Sequence, residues 1–358
     1  MVRWQRDLKD GLGCDHWRLQ HLFCQRTPTA IVFQHPRHYL YRYNIFMDTY
    51  ITLDIGGTNI RCALFSLNQQ APINIKKVNT IEMGQSPIER VIAVIKEIWP
   101  ADSHVKGICA AVPGSVNVKE GIVLLAPNIA GWKDIPFAKL IKEHFPVTVL
   151  VNNDARLAAI GEWKRGAGRG HENMLYFTIS TGLGGGAIVH GRVLEGDIGI
   201  ATESGHMTLD DQGPLCGCGK RGHLEAFSAG TGIENFVKEE LSHGAISSLQ
   251  MRTEIRAESI AEAAREGDRL AISAYQRAGY YLGIGIANYL HIFNPSCVVF
   301  GGGVTQSSDL WMQPFMDSLQ AHVLSPAYLS HLQIKLAELG DNAGLVGAFE
   351  YIYEKLNG

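Results

Sequence analysis

Four residues within a short stretch of the second half of the sequence have side chains of the types that can bind a metal ion. Cys216 and Cys218 form a C-x-C pair, with His206 ten residues before it and His223 five residues after it. Two thiolates and two imidazoles are a ligand set of closed, tetrahedral structural zinc sites. The alternative is a glycine-rich loop with two free thiols. We favour zinc, because nothing else explains this density of Cys, His and Gly.

Asp154 stands where a buried strand gives way to a helix. The β-branched, apolar residues 147–150 predict the strand, and residues 155–160 predict the start of the helix. A carboxylate at such a junction can face a cleft and serve there as a general base. Taken alone, however, the residue is better explained as the N-cap of the helix.

A hairpin with a glycine pair at its turn is predicted around residue 56. Residues 50–53 and 61–65 have the pattern of strands. A glycine pair lets backbone N–H groups approach an anion, a threonine adds a hydroxyl, and an aspartate would hold Mg²⁺ through water. The alternative is an ordinary Gly-Gly turn, and the P-loop pattern is absent here. The residues in question are Asp54, Gly56, Gly57, Thr58 and Asn59.

Two more predicted strands, residues 176–180 and 297–300, run into glycine-rich turns. The turn after strand 176–180 matches the dinucleotide pattern G-x-G-x-x-[GA]. That pattern must open a helix, however, and residues 187–191 continue as β. We therefore predict a second phosphate turn, so that two lobes form one phosphate cradle. At the third turn a nucleotide base or ribose would lie against the backbone. The turn residues are Thr181, Gly182, Gly184, Gly185, Gly301, Gly302 and Gly303.

The elements that would position these groups alternate between strand and helix. A capping box at Ser86 predicts a helix with one apolar stripe. Asn128 follows the predicted strand 121–125 and precedes Trp132, a pairing that suits a polyhydroxylated ligand, although an Asx-turn explains the asparagine equally well. A long helix, residues 268–293, contains three glycines, which predicts close packing against a neighbour. Residues 344–355 predict a closing amphipathic helix.

Composition limits the number of lobes, the kinds of partner and the cellular compartment. The chain has 358 residues, 46% hydrophobic, enough for two lobes with cores. The net charge of −3 gives no electrostatic basis for nucleic acid as a partner, and no apolar stretch is long enough to predict a membrane span. Seven scattered cysteines argue against disulfides and favour a reducing cytoplasm.

Residues 1–46 differ from the rest of the chain. They hold seven Lys and Arg against three Asp and Glu, a net charge of +4, and lack a sustained apolar periodicity. We interpret them as a disordered or mis-assigned extension, with Met47 as the natural start. Four of their side chains mimic a metal cluster, which we attribute to chance placement: Cys14, His16, His21 and Cys24.

From about Tyr50 to the C-terminus the sequence resembles the ROK family (repressor, open reading frame, kinase), and most of all its bacterial glucokinases. The resemblance is carried by the three glycine turns and by Gly205-His206 followed by residues 216–225, which match the family zinc motif. It implies an α/β fold of the actin-like, hexokinase-type (ribonuclease H-like) two-lobe ATPase class with a zinc-binding loop at residues 206–223. Residues 47–157 with 343–358 would form the small lobe, and 158–342 the large one.

The resemblance implies an enzyme that binds a hexose and ATP, with Mg²⁺ and a structural Zn²⁺, as a homodimer or homotetramer. Asp154 would be the general base for attack of the C6 hydroxyl on the γ-phosphate, with ATP held by the three glycine turns. His206 would be shared between zinc and sugar. The implied sugar contacts are Gly57, Asn128, Asn153, Glu203, His206 and Glu225.

One departure from the family zinc motif and three alternative functions remain. His223 replaces the third cysteine of the family zinc motif, so the ligand set becomes Cys₂His₂. Glucose is the favoured substrate, with N-acetylglucosamine or N-acetylmannosamine as alternatives. Some family members are transcriptional repressors, but residues 1–46 are too few for a winged helix-turn-helix. A non-catalytic sugar sensor would be expected to lack Asp54 or Asp154, and both are present.

Overall fold

The computed structural model describes residues 18–19, 30–34, 40–44, 47–67, 69 and 71–358. In the first part of the chain three strands, β1 (Arg18–Leu19), β2 (Ala30–Gln34) and β3 (Leu40–Asn44), pair in antiparallel fashion. The four metal-like residues of the extension lie outside the described residues. The proposal that Met47 is the natural start stays a prediction.

The small lobe is built on a five-stranded mixed sheet with the order β11-β7-β4-β5-β6. Its strands β4, β7 and β11 are parallel, whereas β5 pairs antiparallel with β4, and β6 pairs antiparallel with β5. Three short strands, β8 to β10, form a side sheet. The strands are β4 (Met47–Ile55), β5 (Asn59–Ser66), β6 (Asn74–Asn79), β7 (Ser103–Val112), β8 (Ser115–Asn117), β9 (Ile122–Leu125), β10 (Lys133–Ile135) and β11 (Thr148–Asn153).

Helices cover both faces of this sheet. Helix α1 (Pro87–Ile98) begins at the predicted capping box, since Glu89 accepts from the Ser86 N–H at 2.7 Å. It buries its apolar stripe with α2 (Phe137–Lys142) on one face. On the opposite face Tyr50 and Phe349 meet edge to face at 5.5 Å, with Phe349 supplied by helix α9 (Ala343–Asn357). The small lobe therefore has two apolar layers, because consecutive residues of its central strands are buried and their side chains point to opposite faces of the sheet.

The large lobe has a second five-stranded sheet with the order β14-β13-β12-β15-β16. Strands β12, β15 and β16 are parallel, whereas β13 pairs antiparallel with β12, and β14 pairs antiparallel with β13. The elements are β12 (Met174–Ile179), β13 (Leu183–Val189), β14 (Arg192–Val193), α4 (Leu224–Ser228), α5 (Gly230–Ser242), α6 (Ala257–Arg265), α7 (Arg269–Phe293), β15 (Cys297–Gly301), α8 (Ser308–His322) and β16 (Gln333–Leu336), with 3-10 turns at Ser204–His206, Ser248–Met251, Gly303–Ser307, Pro326–Tyr328 and Gly340–Asn342.

The glycines of α7 confirm the predicted close packing. A Cβ added at Gly279 would lie 2.4 Å from the carbonyl oxygen of Trp311 on α8, and one at Gly283 would lie 2.5 Å from Ser318 Cβ. Because no side chain fits, the two helices cross nearly backbone to backbone. Among the helices of the described residues, none combines the length and apolarity that a membrane crossing requires.

Helix α3 (Asp154–Arg165) joins the two lobes. It follows β11 of the small-lobe sheet, packs on β13 of the large-lobe sheet and crosses α9 closely. At that crossing a Cβ on Gly347 would lie only 1.6 Å from the carbonyl oxygen of Leu157. The predicted lobe boundary after residue 157 falls inside this helix. Because α3 contacts both sheets, it positions its first residues relative to both lobes.

Candidate functional site

The first glycine turn connects β4 to β5 as predicted. The Gly56 N–H donates to the Asn59 carbonyl at 2.9 Å, and the Thr80 hydroxyl donates to the Gly56 carbonyl at 2.6 Å. A Cβ on Gly57 would lie 2.4 Å from the Asn128 carbonyl oxygen, so glycine is required by close approach. The structure thus brings Gly57 and Asn128, two predicted sugar contacts from distant parts of the chain, into direct contact.

Asp54 lies on β4 just before this turn, opposite Arg61 on β5. The two form an ion pair at 3.8 Å, and the Arg61 guanidinium also donates to the Asp341 carbonyl and, at 2.5 Å, to Asn342 Oδ1. Burial raises the pKa of Asp54, and Arg61 opposes that rise. No sequence pattern marks Arg61 as a site residue, because its contacts are with the 3-10 turn before α9, 280 residues away.

The second turn differs from its prediction. Residues 180–182 connect β12 to β13, and the Ser180 N–H donates to the Gly182 carbonyl at 2.9 Å. Gly184 and Gly185 lie inside β13, not in the turn. A Cβ on Gly184 would lie 2.8 Å from the Ala155 Cβ, and one on Gly185 would lie 2.4 Å from Ser204 Oγ. These glycines let α3 and the Ser204–His206 turn rest directly on the strand.

The third turn lies beside the second. Strand β15 runs parallel to β12, with Gly301 opposite Thr178. Gly302 has a φ of 89°, and a Cβ there would lie 2.3 Å from the Ile179 carbonyl oxygen. Gly303, by contrast, faces open space. Two glycine turns therefore lie at the carboxyl ends of the neighbouring strands β12 and β15, and the backbone at Gly303 is uncovered.

Asp154 is the first residue of α3, but it is not the N-cap. The cap is Asn153, whose Oδ1 accepts from the Arg156 N–H at 3.0 Å, and whose Nδ2 donates to the Gly114 carbonyl at 3.0 Å. The alternative explanation of Asp154 as a cap is thereby wrong by one position. Asp154 Oδ1 accepts from the Ala155 N–H at 2.8 Å, which leaves its second oxygen without a protein hydrogen bond among the described residues.

The electrostatic setting of Asp154 suits a general base. Burial is the main cause that raises the pKa of Asp154 to about 7; the nearby carboxylates of Asp54 and Glu203 contribute to the rise, and the hydrogen bond from the Ala155 N–H opposes it. Carboxylates from two other elements therefore lie near enough to the α3 N-terminus to affect Asp154 electrostatically. A carboxyl with a pKa near neutrality can both accept and release a proton at physiological pH.

The four predicted metal ligands lie together. Their ligand atoms are all within 4.8 Å of one another, and Cys216 and His223 are buried. The His206 and His223 Nδ1 atoms are 3.2 Å apart, Cys218 Sγ lies 3.3 Å from His223 Nδ1, and Cys216 Sγ lies 3.8 Å from His206 Nδ1. A tetrahedral zinc ion would set N–N and N–S separations of about 3.3 and 3.6 Å. The donor set therefore fits such an ion.

One histidine of this cluster is in the uncharged form that metal binding requires. Burial, followed by the neighbouring His206 and Lys220, lowers the pKa of His223, so its imidazole is uncharged at neutral pH. A neutral imidazole is the ligating form. Glu225 Oε1 accepts from the Cys216 thiol at 3.4 Å, which places a carboxylate against one ligand.

A cavity of about 270 Å³ lies apart from these groups. It opens between β11, α9 and the segment after β14, with Leu150, Glu195 and Tyr351 among its lining residues. No predicted site residue lines it. The predicted phosphate-binding and catalytic residues lie instead at the glycine turns and at the N-terminus of α3.

Comparison with known proteins identifies relatives of this chain. The model of the ROK family matches residues 50–355. The glucokinase of Thermotoga maritima is 31% identical over 313 residues, which are 86% of this chain and 98% of that protein.

Two solved structures are similar over most of the chain. A glucokinase from Streptomyces griseus, in complex with glucose and AMPPNP, has a TM-score of 0.72 at 31% identity and covers 85% of this chain and 98% of its own. A transcriptional regulator described as a homolog of the E. coli MLC protein has a TM-score of 0.76 at 29% identity, over 86% of this chain and 78% of its own. These similarities confirm the predicted actin-like, hexokinase-type fold.

Proposed function

Since this chain belongs to the ROK family, we propose that it is an ATP-dependent hexose kinase that phosphorylates the C6 hydroxyl of glucose. The observation that carries the proposal is Asp154, a carboxylate with a pKa of about 7 at the N-terminus of the helix shared by both lobes. A non-catalytic sugar-binding protein would have no need of such a group.

Asp154 would accept the proton of the sugar hydroxyl as that oxygen attacks the γ-phosphorus and the bond to ADP breaks. Phosphoryl transfer gains most of its rate from positioning and charge stabilisation, and a general base contributes about 10²–10⁴-fold. The oxygen of Asp154 that receives no protein hydrogen bond would face the hydroxyl. The Ala155 N–H fixes the other oxygen and thus the direction of the carboxylate.

ATP would be held by the glycine turns of both lobes. Their backbone N–H groups favour anions, and the uncovered backbone at Gly303 would lie against the adenosine. Asp54 would hold Mg²⁺ through water, since it is a partly buried carboxylate beside the first turn. When bound, the ion would neutralise charge on the phosphates.

The sugar would contact Asn128, Asn153, Glu203, His206 and Glu225, with Gly57 allowing close approach. Carboxylates and carboxamides accept from and donate to hydroxyl groups in a fixed pattern. His206 supports this assignment because its Nδ1 lies in the metal cluster, so its Nε2 is left for a sugar hydroxyl. Zinc would hold the loop that carries these side chains.

A coupled ADP-release assay tests the function. The purified chain is given Mg-ATP and, in turn, glucose, mannose, fructose, N-acetylglucosamine and N-acetylmannosamine, with Asp154→Asn as the matched inactive control. We expect the highest kcat/KM for glucose. A preference for an N-acetylhexosamine would change the assigned substrate but keep the assignment as a sugar kinase. If none of the five sugars led to ADP release, the proposal would be overturned.

The competing class is a sugar-responsive regulator, favoured by the similarity to the solved transcriptional regulator. The catalytic constellation argues for the kinase, because Asp54, Asp154 and both phosphate turns are retained. A gel-shift assay against DNA upstream of the gene, run beside the kinase assay, separates the two. Sugar-sensitive DNA binding without turnover would establish the regulator. Size-exclusion chromatography would test the predicted homodimer or homotetramer.

A further inference from the structure

Residues 194–203, called the strap here, connect β14 to the Ser204–His206 turn and end in Glu203. The strap starts on the large-lobe sheet, where the Leu194 N–H donates to the Ala187 carbonyl at 2.8 Å. It then crosses to the small lobe. The Ile198 carbonyl accepts from the Val118 N–H at 3.1 Å, and Asp197 pairs with Lys119 at 3.0 Å. The strap therefore spans both lobes before it delivers Glu203.

Arg156 fastens the second half of the strap to α3. Its side chain is 1% exposed, and its Nη1 and Nη2 atoms donate to the Gly199 carbonyl at 2.8 Å and the Ala201 carbonyl at 2.6 Å. A planar guanidinium that bonds two carbonyls fixes both position and orientation. Because Arg156 follows Asp154 by two positions, one helix sets the strap against the residue assigned as general base.

Glu195 fastens the first half of the strap. Its Oε1 accepts from the Tyr351 hydroxyl at 2.6 Å and from Asn152 Nδ2 at 3.3 Å, and its Oε2 lies 3.5 Å from Lys355 Nζ. Asn152, which is fully buried, accepts from Arg156 Nη1 at 2.6 Å through its Oδ1. Arg156 and Glu195 are thus joined through the carboxamide of Asn152, and such a hydrogen-bonded network holds a defined geometry.

The backbone just before Glu203 is strained. Thr202 has a φ of 66°, a conformation that β-branched residues avoid. The peptide that Arg156 grips, through the Ala201 carbonyl, is the one immediately before it. The Thr202 hydroxyl also donates to that carbonyl at 2.6 Å. A strained residue keeps its conformation only where its surroundings impose it, and the direction of Glu203 depends on that conformation.

We propose that Arg156 is a positioning residue for sugar binding, which clamps the strap so that Glu203 is presented to the sugar beside Asp154. The assignment deepens the proposed kinase function and rests on it for the identity of the ligand. Arg156 itself does not contact the sugar. Its loss would release the strain at Thr202 and let Glu203 turn away, whereas the glycine turns would be unaffected.

The test compares Arg156→Gln and Arg156→Lys with the wild type. We expect Arg156→Gln to raise the sugar KM by on the order of tenfold to a hundredfold, with the ATP KM changed less than about threefold. Arg156→Lys keeps the positive charge but lacks the forked guanidinium, so its sugar KM should lie between those of the wild type and Arg156→Gln. Hydrogen exchange of the amides of residues 195–203 should become faster in Arg156→Gln. The matched control is Arg165→Gln, which removes an α3 arginine that pairs with Glu350 of α9 at 2.5 Å, away from the strap.

Two further variants keep the test decisive. If Arg156→Gln folds poorly, Glu195→Gln removes the other end of the clamp with the same readouts. Thr202→Gly removes the strain, so the Arg156→Lys effect on the sugar KM should shrink in that background. Unchanged strap exchange, or equal rises in both KM values, would overturn the assignment. A wild-type chain that phosphorylates no sugar would refute the kinase function alone, because strap exchange still reports on the clamp.

Discussion

Glu225 Oε2 accepts a hydrogen bond of 2.9 Å from the backbone N–H of Leu183. This bond ties the start of α4, which follows the metal cluster, to the start of β13, which follows the second glycine turn. A Cβ on Gly182 would lie 2.5 Å from the same oxygen, so the turn has room for the carboxylate only because residue 182 is glycine. The other oxygen of Glu225 faces the Cys216 thiol. One side chain thus links the metal cluster to the proposed phosphate turn.

Loss of one metal ligand should therefore affect both metal content and sugar binding. We expect the wild type to contain about one zinc per chain by elemental analysis, and Cys216→Ser to lose most of it with a sugar KM raised at least tenfold. Cys109→Ala, a buried cysteine in the small-lobe sheet, is the control and should keep its zinc. Metal-free wild-type protein would refute the zinc site.

Restoring a third thiolate should strengthen metal binding. His223→Cys converts the Cys₂His₂ set to Cys₃His, and thiolates are the softer ligands that zinc prefers. The measurement is the rate of zinc transfer to a chromogenic chelator, which we expect to fall at least severalfold. Faster transfer from His223→Cys would show that the loop geometry is adapted to imidazole and cannot use the shorter side chain.

Asp154→Asn should abolish most turnover and leave sugar binding nearly intact. The variant keeps the size of the side chain but cannot accept a proton, so kcat should fall about 10²–10⁴-fold. The sugar Kd from calorimetry should change by less than about threefold. Asp317→Asn, an exposed aspartate on α8, serves as the control. Wild-type turnover in the Asn variant would remove Asp154 from the role of base.

The pH dependence of kcat/KM reports the base in the free enzyme. With a pKa of about 7, Asp154 is increasingly protonated as the pH falls, so log(kcat/KM) should rise with a slope of one below pH 7 and level off above it. An unshifted aspartate, with a pKa of about 3.9, would give a flat profile above pH 5. That flat profile in the wild type would contradict the assignment.

The same pKa predicts an effect on stability. Because the folded pKa of Asp154 lies above its unfolded value, the folded state binds the proton more tightly. Its contribution to the free energy of unfolding is full below pH about 4 and is lost as the pH rises through 7. Asp154→Asn should therefore raise the Tm, relative to wild type, more at pH 8 than at pH 5. An equal change at both values would indicate an unshifted carboxyl.

The sequence was informative where partners are close along the chain. The metal cluster was predictable because its ligands fall within residues 206–223, and the capping box of α1 because it needs only Ser86 and Glu89. Both are local patterns whose spacing already contains the geometry. The first hairpin followed from strand pattern and a glycine pair for the same reason.

The partner that a residue contacts at long range along the chain was not predictable. A glycine that faces a ligand and one that faces a helix look alike in sequence, so Gly184 was assigned to a phosphate turn although it makes room for α3. The contacts of Arg61 with Asn342 and of Arg156 with the strap join residues far apart along the chain, for which no spacing rule exists. The cap at Asn153 was missed because three polar residues in a row all suit that position.

Replacing Glu162 on α3 should strongly lower the free energy of unfolding, although this residue lies outside the proposed site. It is fully buried and accepts from the backbone N–H groups of Ala167 at 2.8 Å, Glu338 at 3.1 Å and Leu339 at 2.8 Å. It thereby fixes the chain that leads into α9. A Gln side chain has one accepting oxygen for these three donors, so Glu162→Gln should lower the free energy of unfolding by about 3 kcal/mol in urea denaturation. Glu120→Gln, an exposed control, should change it by less than about 0.5 kcal/mol, and equal effects of the two would contradict the assigned role.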